Sequence, residues 1–268
     1  MESLRLLSEW PVDNVAAAVV MADGSVRGTY GETGREFKLA SVTKPLTAYG
    51  VLLAVEEGAV EWDDPAGPAT VRHLIAHTSG LAFDSDMRQA QPGTRRIYSN
   101  TGFAVLADHL FKATGITFAD YLAEGVFGPL DMTSTRLAGS AGAGAVSTVD
   151  DLAKFAAELQ KPTLVSADTV REATTTAFPG LNGVVPGYGM QKPNDWGLGF
   201  EIRGHKSPHW TGATSSPRTY GHFGQSGTFL WVDPDAGAAC VALADRPFGE
   251  WAIAAWPAFT DAVLADLR

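Results

Sequence analysis

The feature that most constrains this chain is an apolar run from Leu46 to Val55, entered through Phe37-Lys38-Leu39-Ala40-Ser41-Val42-Thr43-Lys44-Pro45. A helix through Leu46, Tyr49, Val51, Leu52, Leu53 and Val55 is apolar nearly all round, so the fold must place it inside the molecule and wrap other elements about it. Pro45 has no N–H to donate and suits only the first turn, where helix donors lack intrahelical partners anyway. Ser41 therefore stands at the helix N-terminus, with Lys44 three residues on, along the same face and within reach. Gly58, after Glu56 and Glu57, is the expected stop.

That spacing carries chemistry. A serine hydroxyl becomes a competent nucleophile when a neighbouring base takes its proton, and a lysine is a base only when neutral. Burial and the positive end of the helix dipole both disfavour the charged form of Lys44. The same residues also read as an N-cap serine and a solvated lysine, so the decision rests on the remainder of the chain.

With 268 residues, 45% of them hydrophobic, the chain can bury a sizeable core as one large domain or two interlocked ones. Its 30 acidic and 20 basic residues give a formal charge of −10, and no basic run exceeds Arg95-Arg96, which argues against a nucleic-acid partner. Met1-Glu2-Ser3-Leu4-Arg5 lacks a basic region followed by a long apolar stretch, and no segment is long and charge-free enough to span a bilayer. The expectation is a cytoplasmic protein with no membrane partner. The single cysteine, Cys240, excludes an internal disulfide and a cysteine metal cluster; its neighbours Ala238, Ala239, Val241 and Leu243 mark a buried strand. His73 and His77 are four apart but lack the glutamate of the zincin pattern, so neither metal nor cofactor is expected.

Taken in order, Val15 to Met21, Asp23-Gly24 and Ser25 to Tyr30 read as a hairpin with a two-residue type I′ turn. After the central helix, Thr70 caps a short helix through Val71, Leu74 and Ile75, and helices follow from Phe103, from the Thr117 cap and from Ser147-Thr148-Val149-Asp150-Asp151. Gly139 to Gly144 follows no predicted strand and reads as a flexible loop, as does the chain from Pro179 to Trp196. Short β-type runs return at Gly199–Ile202, Tyr220–Phe223, Thr228–Val232 and Ala238–Ala244, before a last helix containing Pro257. This predicts an α/β (α+β) fold: an antiparallel sheet from both termini, 1–58 with 190–268, flanked by helices, and a mainly helical region inserted at 59–189.

Two further groups of residues join the first. Tyr98-Ser99-Asn100, in a loop just before a helix, can present a phenol and an amide to a cleft, and a lysine nearby would ease proton transfer at the phenol. Gly221-His222-Phe223-Gly224-Gln225 lies on the strand side, where the glycines permit close approach of another backbone.

Ser41-Val42-Thr43-Lys44, Tyr98-Ser99-Asn100 and His222-Phe223-Gly224, in this order, resemble the three motifs of the serine β-lactamase and penicillin-binding-protein superfamily. The closer resemblance is to its branch of class C β-lactamases, D-alanyl-D-alanine carboxypeptidases and family VIII esterases. His77-Thr78-Ser79-Gly80-Leu81, Pro129 to Thr135 and Val146 to Leu152 are similar to segments that recur in that branch. The resemblance implies a β-lactamase-like fold, with Ser41 as the acylated nucleophile, Lys44 as its base and Tyr98 as the proton relay to the leaving group. It implies an oxyanion hole from the backbone N–H groups of Ser41 and Gln225, and substrate contacts from Asn100, His222 and Gly224. His222 departs from the lysine that often opens the third motif, and the short linker from Asp63 to Val71 departs from the loops that shape a β-lactam site. The implied activity is that of a serine hydrolase for a small ester, amide or β-lactam, with esters or amides preferred. The alternatives are a β-lactamase, a D-Ala-D-Ala carboxypeptidase or penicillin-binding protein, or a binding or sensing protein on the same scaffold. Arg218, four residues before His222, is a further candidate anchor for a substrate carboxylate.

Overall fold

The two ends of the chain meet in one sheet. The computed structural model describes residues 1–268, and its six-stranded sheet runs in the order Glu201–Ile202, Tyr220–Gly224, Thr228–Asp233, Ala238–Ala244, Val15–Met21, Val26–Tyr30. Every pairing is antiparallel; the first long strand lies along the last, from Val15 opposite Ala244 to Met21 opposite Ala238. Side chains alternate across a strand, so Ala16, Ala18 and Val20 enter one core while Ala17 and Val19 enter another on the opposite face. The first core takes the central helix Thr43–Glu56 and the helix Val149–Gln160; the second takes the closing helix Glu250–Asp266 through Trp256, Phe259 and Val263. Pro257 sits within that closing helix without ending it.

The central helix is buried at every residue from Thr43 to Leu52. Gly58 ends it with a left-handed backbone (φ 71°); its N–H donates to the Val55 carbonyl at 3.1 Å and that of Ala59 to the Ala54 carbonyl at 2.9 Å. Only a residue without Cβ takes that conformation freely.

Three local expectations change. The first hairpin turns through Ala22-Asp23-Gly24, with Gly24 alone at positive φ and a register shift between Val19 and Val20, so the extra residue is absorbed by a bulge rather than by a type I′ turn. The expected loop after Pro179 contains a hairpin, Gly183–Val185 with Gly189–Gln191. The helix Val149–Gln160, from the stretch assigned to the inserted region, packs against the sheet because Leu152, Phe155 and Ala156 form an apolar stripe. No helix is long and apolar enough to cross a membrane.

Candidate active site

Ser41 lies in a 3₁₀ turn, Ala40–Val42, that leads directly into the central helix. Ala40 is held at φ 45°, a conformation that costs a residue with a side chain, and it is kept there by what the turn rests upon. The Leu39 carbonyl accepts from the Thr228 hydroxyl at 2.8 Å, and a Cβ on Gly224 would stand 2.3 Å from that carbonyl oxygen. Gly224 is therefore a close-approach glycine that lets the serine turn sit on the sheet.

Lys44 is completely buried. Its Nζ donates to Asn100 Oδ1 at 2.7 Å and to the Gly142 carbonyl at 2.8 Å, and lies 3.4 Å from Ser41 Oγ. Burial holds its pKa well below the ordinary lysine value, with Asp84 opposing weakly. A neutral amine has two N–H groups and one lone pair. Asn100 and Gly142 accept the two protons, and the lone pair is left for the serine hydroxyl.

Tyr98 Oη donates to Ser41 Oγ at 2.6 Å, and its ring lies 4.4 Å from Lys44 Nζ. Burial raises the phenol above its ordinary pKa and outweighs the lowering by the serine bond. The sequence suggested that a lysine nearby would ease loss of this proton; burial instead disfavours both the charged lysine and the phenolate, and Tyr98 stands as a protonated donor. Its loop is anchored by Arg96, whose buried guanidinium donates to the carbonyls of Ala76, Ala177 and Asn194 at 2.5, 2.8 and 3.1 Å. Ser99 caps the helix Asn100–Thr114, accepting from the Gly102 N–H at 3.0 Å, and so starts that helix where Asn100 faces Lys44.

Asn100 Nδ2 donates to Asp84 at 3.0 Å, so both ends of the amide are engaged by the protein. His222 is buried, with Nδ1 donating to the Phe223 carbonyl at 2.6 Å and its pKa pushed down to about 3, mainly by burial. Arg218, the candidate carboxylate anchor, is exposed and paired with Asp235 at the far end of the strand, away from Ser41. His73 lies outside this cluster, its Nδ1 2.7 Å from the Thr70 hydroxyl, while His77 packs against Tyr98, Phe103 and Trp196.

The residues around Ser41 enclose a pocket of about 260 Å³. Tyr98, Trp196, His222 and Phe223 form its aromatic wall, and Gln225 lies at its side. The Gln225 N–H donates to no group of the protein, while its carbonyl accepts from the Phe248 N–H at 2.9 Å. The one formally charged residue in the lining is Glu201.

Sequence reasoning passed over Gly142, Trp196 and Glu201. The Gly139–Gly144 segment, expected to be a flexible loop, is instead packed on the site: Gly142 accepts from Lys44, and Ala141 accepts from Thr47 at 2.6 Å. A Cβ on Gly142 would stand 3.1 Å from Asn100 Oδ1, and the run of small residues was the available signal of such an approach.

Residues 14–263 match the Beta-lactamase family. The chain belongs to that family. A beta-lactamase from Mycobacterium bovis, known by crystal structure, is 58% identical to this family member, with 99% of each chain covered and a TM-score of 0.97. Penicillin-binding protein 4* of Bacillus subtilis is 31% identical over 40% of this chain and 31% of its own length. The D-alanyl-D-alanine-carboxypeptidase/endopeptidase AmpH of Escherichia coli is 25% identical over 44% of each chain. Those matches thus span less than half the length of the two curated relatives. EstCE1, a hydrolase with promiscuous acyltransferase activity, shares the fold at 17% identity and a TM-score of 0.80, over 98% of this chain and 96% of its own.

Proposed function

We propose that this family member is a serine hydrolase that forms an acyl-enzyme on Ser41 and cleaves neutral esters or amides. The observation that carries the reading is Ser41 Oγ held between the buried Lys44 amine at 3.4 Å and the donating Tyr98 hydroxyl at 2.6 Å. Lys44 Nζ takes the Ser41 proton as Oγ bonds to the substrate carbonyl carbon. The oxygen of that carbonyl becomes negative and is received by the N–H groups of Ser41 and Gln225; losing one such donor typically lowers kcat by ~10²–10³. Tyr98 Oη protonates the departing alkoxide or amide, which leaves a phenolate on Tyr98 and an ammonium on Lys44. Water then attacks the acyl carbon on Ser41 and gives its proton to the Tyr98 phenolate; as the acid leaves, Lys44 returns its proton to Ser41 Oγ. Asn100 and Gly142 hold Lys44 in place, which supports a positioning role for Asn100.

The substrate preference rests on charge. The pocket lining presents no cation: His222 is neutral above its depressed pKa, Arg218 is turned to Asp235, and the lining residue Glu201 is a carboxylate. A carboxylate on the substrate has nothing there to pair with. The 58%-identical beta-lactamase favours a second reading, hydrolysis of β-lactams at the same serine. A kinetic panel of a short-chain ester, a cephalosporin and a D-Ala-D-Ala peptide separates them, with intact mass to detect the Ser41 adduct and Ser41→Ala as control. The first reading expects the ester to lead in kcat/KM by at least about tenfold, equivalent to ~1.4 kcal/mol. A cephalosporin turned over faster than the ester at pH 7.5 overturns the ranking, and a protein that binds these compounds without gaining covalent mass overturns the hydrolase.

A further inference from the structure

Beside the Ser41 pocket lies a second, more open hollow of about 400 Å³. Phe83, Tyr98 and Pro186 line both, so the two share a wall, and Ile97, Val184 and Met190 extend the apolar lining outward. Phe83 stacks on Tyr98 with ring centroids 5.8 Å apart, which carries the aromatic surface from the serine's hydrogen-bond partner into the hollow.

The outer part of the hollow presents a group of exposed apolar side chains, with the polar side chains of Gln89 and Arg95 at its rim. Val184 and Met190 face each other across the hairpin and are 52% and 50% exposed, and Phe83 is 49% exposed. Three of the seven exposed large hydrophobic side chains therefore meet at this one place. Single exposed apolar residues are ordinary, but a group of them opening into a concave site marks a surface that a ligand covers. The hairpin also has a buried side: Val185 enters the core with Tyr188 and anchors it, so Val184 and Met190 are not held outward for want of an interior.

We infer that this hollow receives an apolar substituent of the substrate, a hydrocarbon chain or ring carried on the ester or amide that Ser41 attacks. The inference rests on the serine-hydrolase reading above and adds a substrate class to it. The inner pocket supplies the chemistry, and the hollow extends the contact along Phe83, Val184 and Met190, removing apolar area of the substrate from water. Burying one methylene is worth ~0.8 kcal/mol, about fourfold in kcat/KM, so a partly covered chain of several carbons gains an order of magnitude.

The test is a matched series of 4-nitrophenyl esters from acetate to octanoate, and of acetate esters with increasingly long alcohols, run on the unmodified enzyme and on Val184→Thr/Met190→Thr. Threonine keeps the strand preference of the hairpin while replacing apolar surface. On the unmodified enzyme, kcat/KM should rise by at least about tenfold along one of the two series, identifying which side of the ester occupies the hollow. The double variant should reduce that long-to-short ratio by at least about fivefold, mainly through KM. Flat profiles in both series, or a ratio unchanged by the double variant, overturn the inference. So does a dimer in solution that the double variant dissociates, because the apolar face would then belong to a second copy. If acetate esters still acylate Ser41 while chain length has no effect, the hollow fails and the hydrolase stands. If no ester or fluorophosphonate adds mass at Ser41, both fall together.

Discussion

Two lysines are buried in this protein, and their surroundings make them different chemical species. Lys206 Nζ donates to Glu201 Oε1 at 3.0 Å and to the carbonyls of Asp195 and Ile202 at 2.8 and 2.5 Å, three acceptors for the three protons of an ammonium. Glu201 accepts in addition from Trp210 at 2.8 Å and His209 at 3.1 Å. Burial pushes the Glu201 carboxyl up, but Lys206 and His209 outweigh it and hold the group below its ordinary pKa, as a carboxylate. Lys44 has two close neutral acceptors and a hydroxyl, with no carboxylate in contact. Burial lowers the pKa of both lysines; Lys206 has the Glu201 carboxylate in hydrogen-bond contact to oppose it, whereas Lys44 has only Asp84, held one residue away on the far end of Asn100. A buried lysine with a carboxylate is a structural cation, and one with neutral acceptors is a base.

The largest effect expected of this contrast is on turnover. Lys44→Met should lower kcat/KM for an ester by at least about 10³-fold, since it removes the base, and cost no more than about 1–3 kcal/mol of stability, since relief of a buried amine offsets the acceptors left open on Asn100 and Gly142. Urea denaturation beside the kinetics checks both halves; a large loss of stability would mean that Lys44 is an ammonium in the resting protein.

Lys206→Met should do the reverse in kind. It leaves Glu201 buried without its main partner and should cost about 3–5 kcal/mol of unfolding free energy, most of which Glu201→Gln should restore in the double variant. Equal losses in the single and double variants would show that the pair is not the source.

Asn100→Asp converts one lysine environment into the other, placing a carboxylate where Lys44 now donates to an amide at 2.7 Å. It should raise the Lys44 pKa by about 1–3 units and move the acid limb of the pH–rate profile upward by the same amount. An unmoved limb would separate the profile from Lys44.

The most gradual effect concerns His222, whose folded pKa is about 3. The unfolded chain takes up this proton below about pH 6.5 while the folded one does not, so stability falls as the pH drops from 6.5 towards 3, by about 1.4 kcal/mol per pH unit. His77 and His209, also buried and lowered, add to the same slope. His222→Gln should reduce the slope by one proton; an unchanged slope would place a charged His222 in the folded protein.

The chemical pieces of the site were legible because local rules carry them. An apolar run entered by proline must be a buried helix, and Ser41 and Lys44 share its first face whatever surrounds it. The same holds for strands such as Ala238–Ala244, where a continuous apolar run leaves little choice. The sequence also displayed Tyr98, Asn100 and His222 as candidates, because their motifs follow the first in order. What each does was decided by tertiary structure. Asn100 became a holder of Lys44 because Asp84 takes its other end; Tyr98 became a protonated donor because burial disfavours its phenolate; Gly142 entered the site from a segment that local pattern reads as loop. Lys44 and Lys206 are the plainest case. A lysine's protonation depends on which acceptors lie within a few ångströms and on how much water is excluded, and for Lys44 those acceptors come from residues 56 and 98 positions away along the chain, brought into contact by the fold.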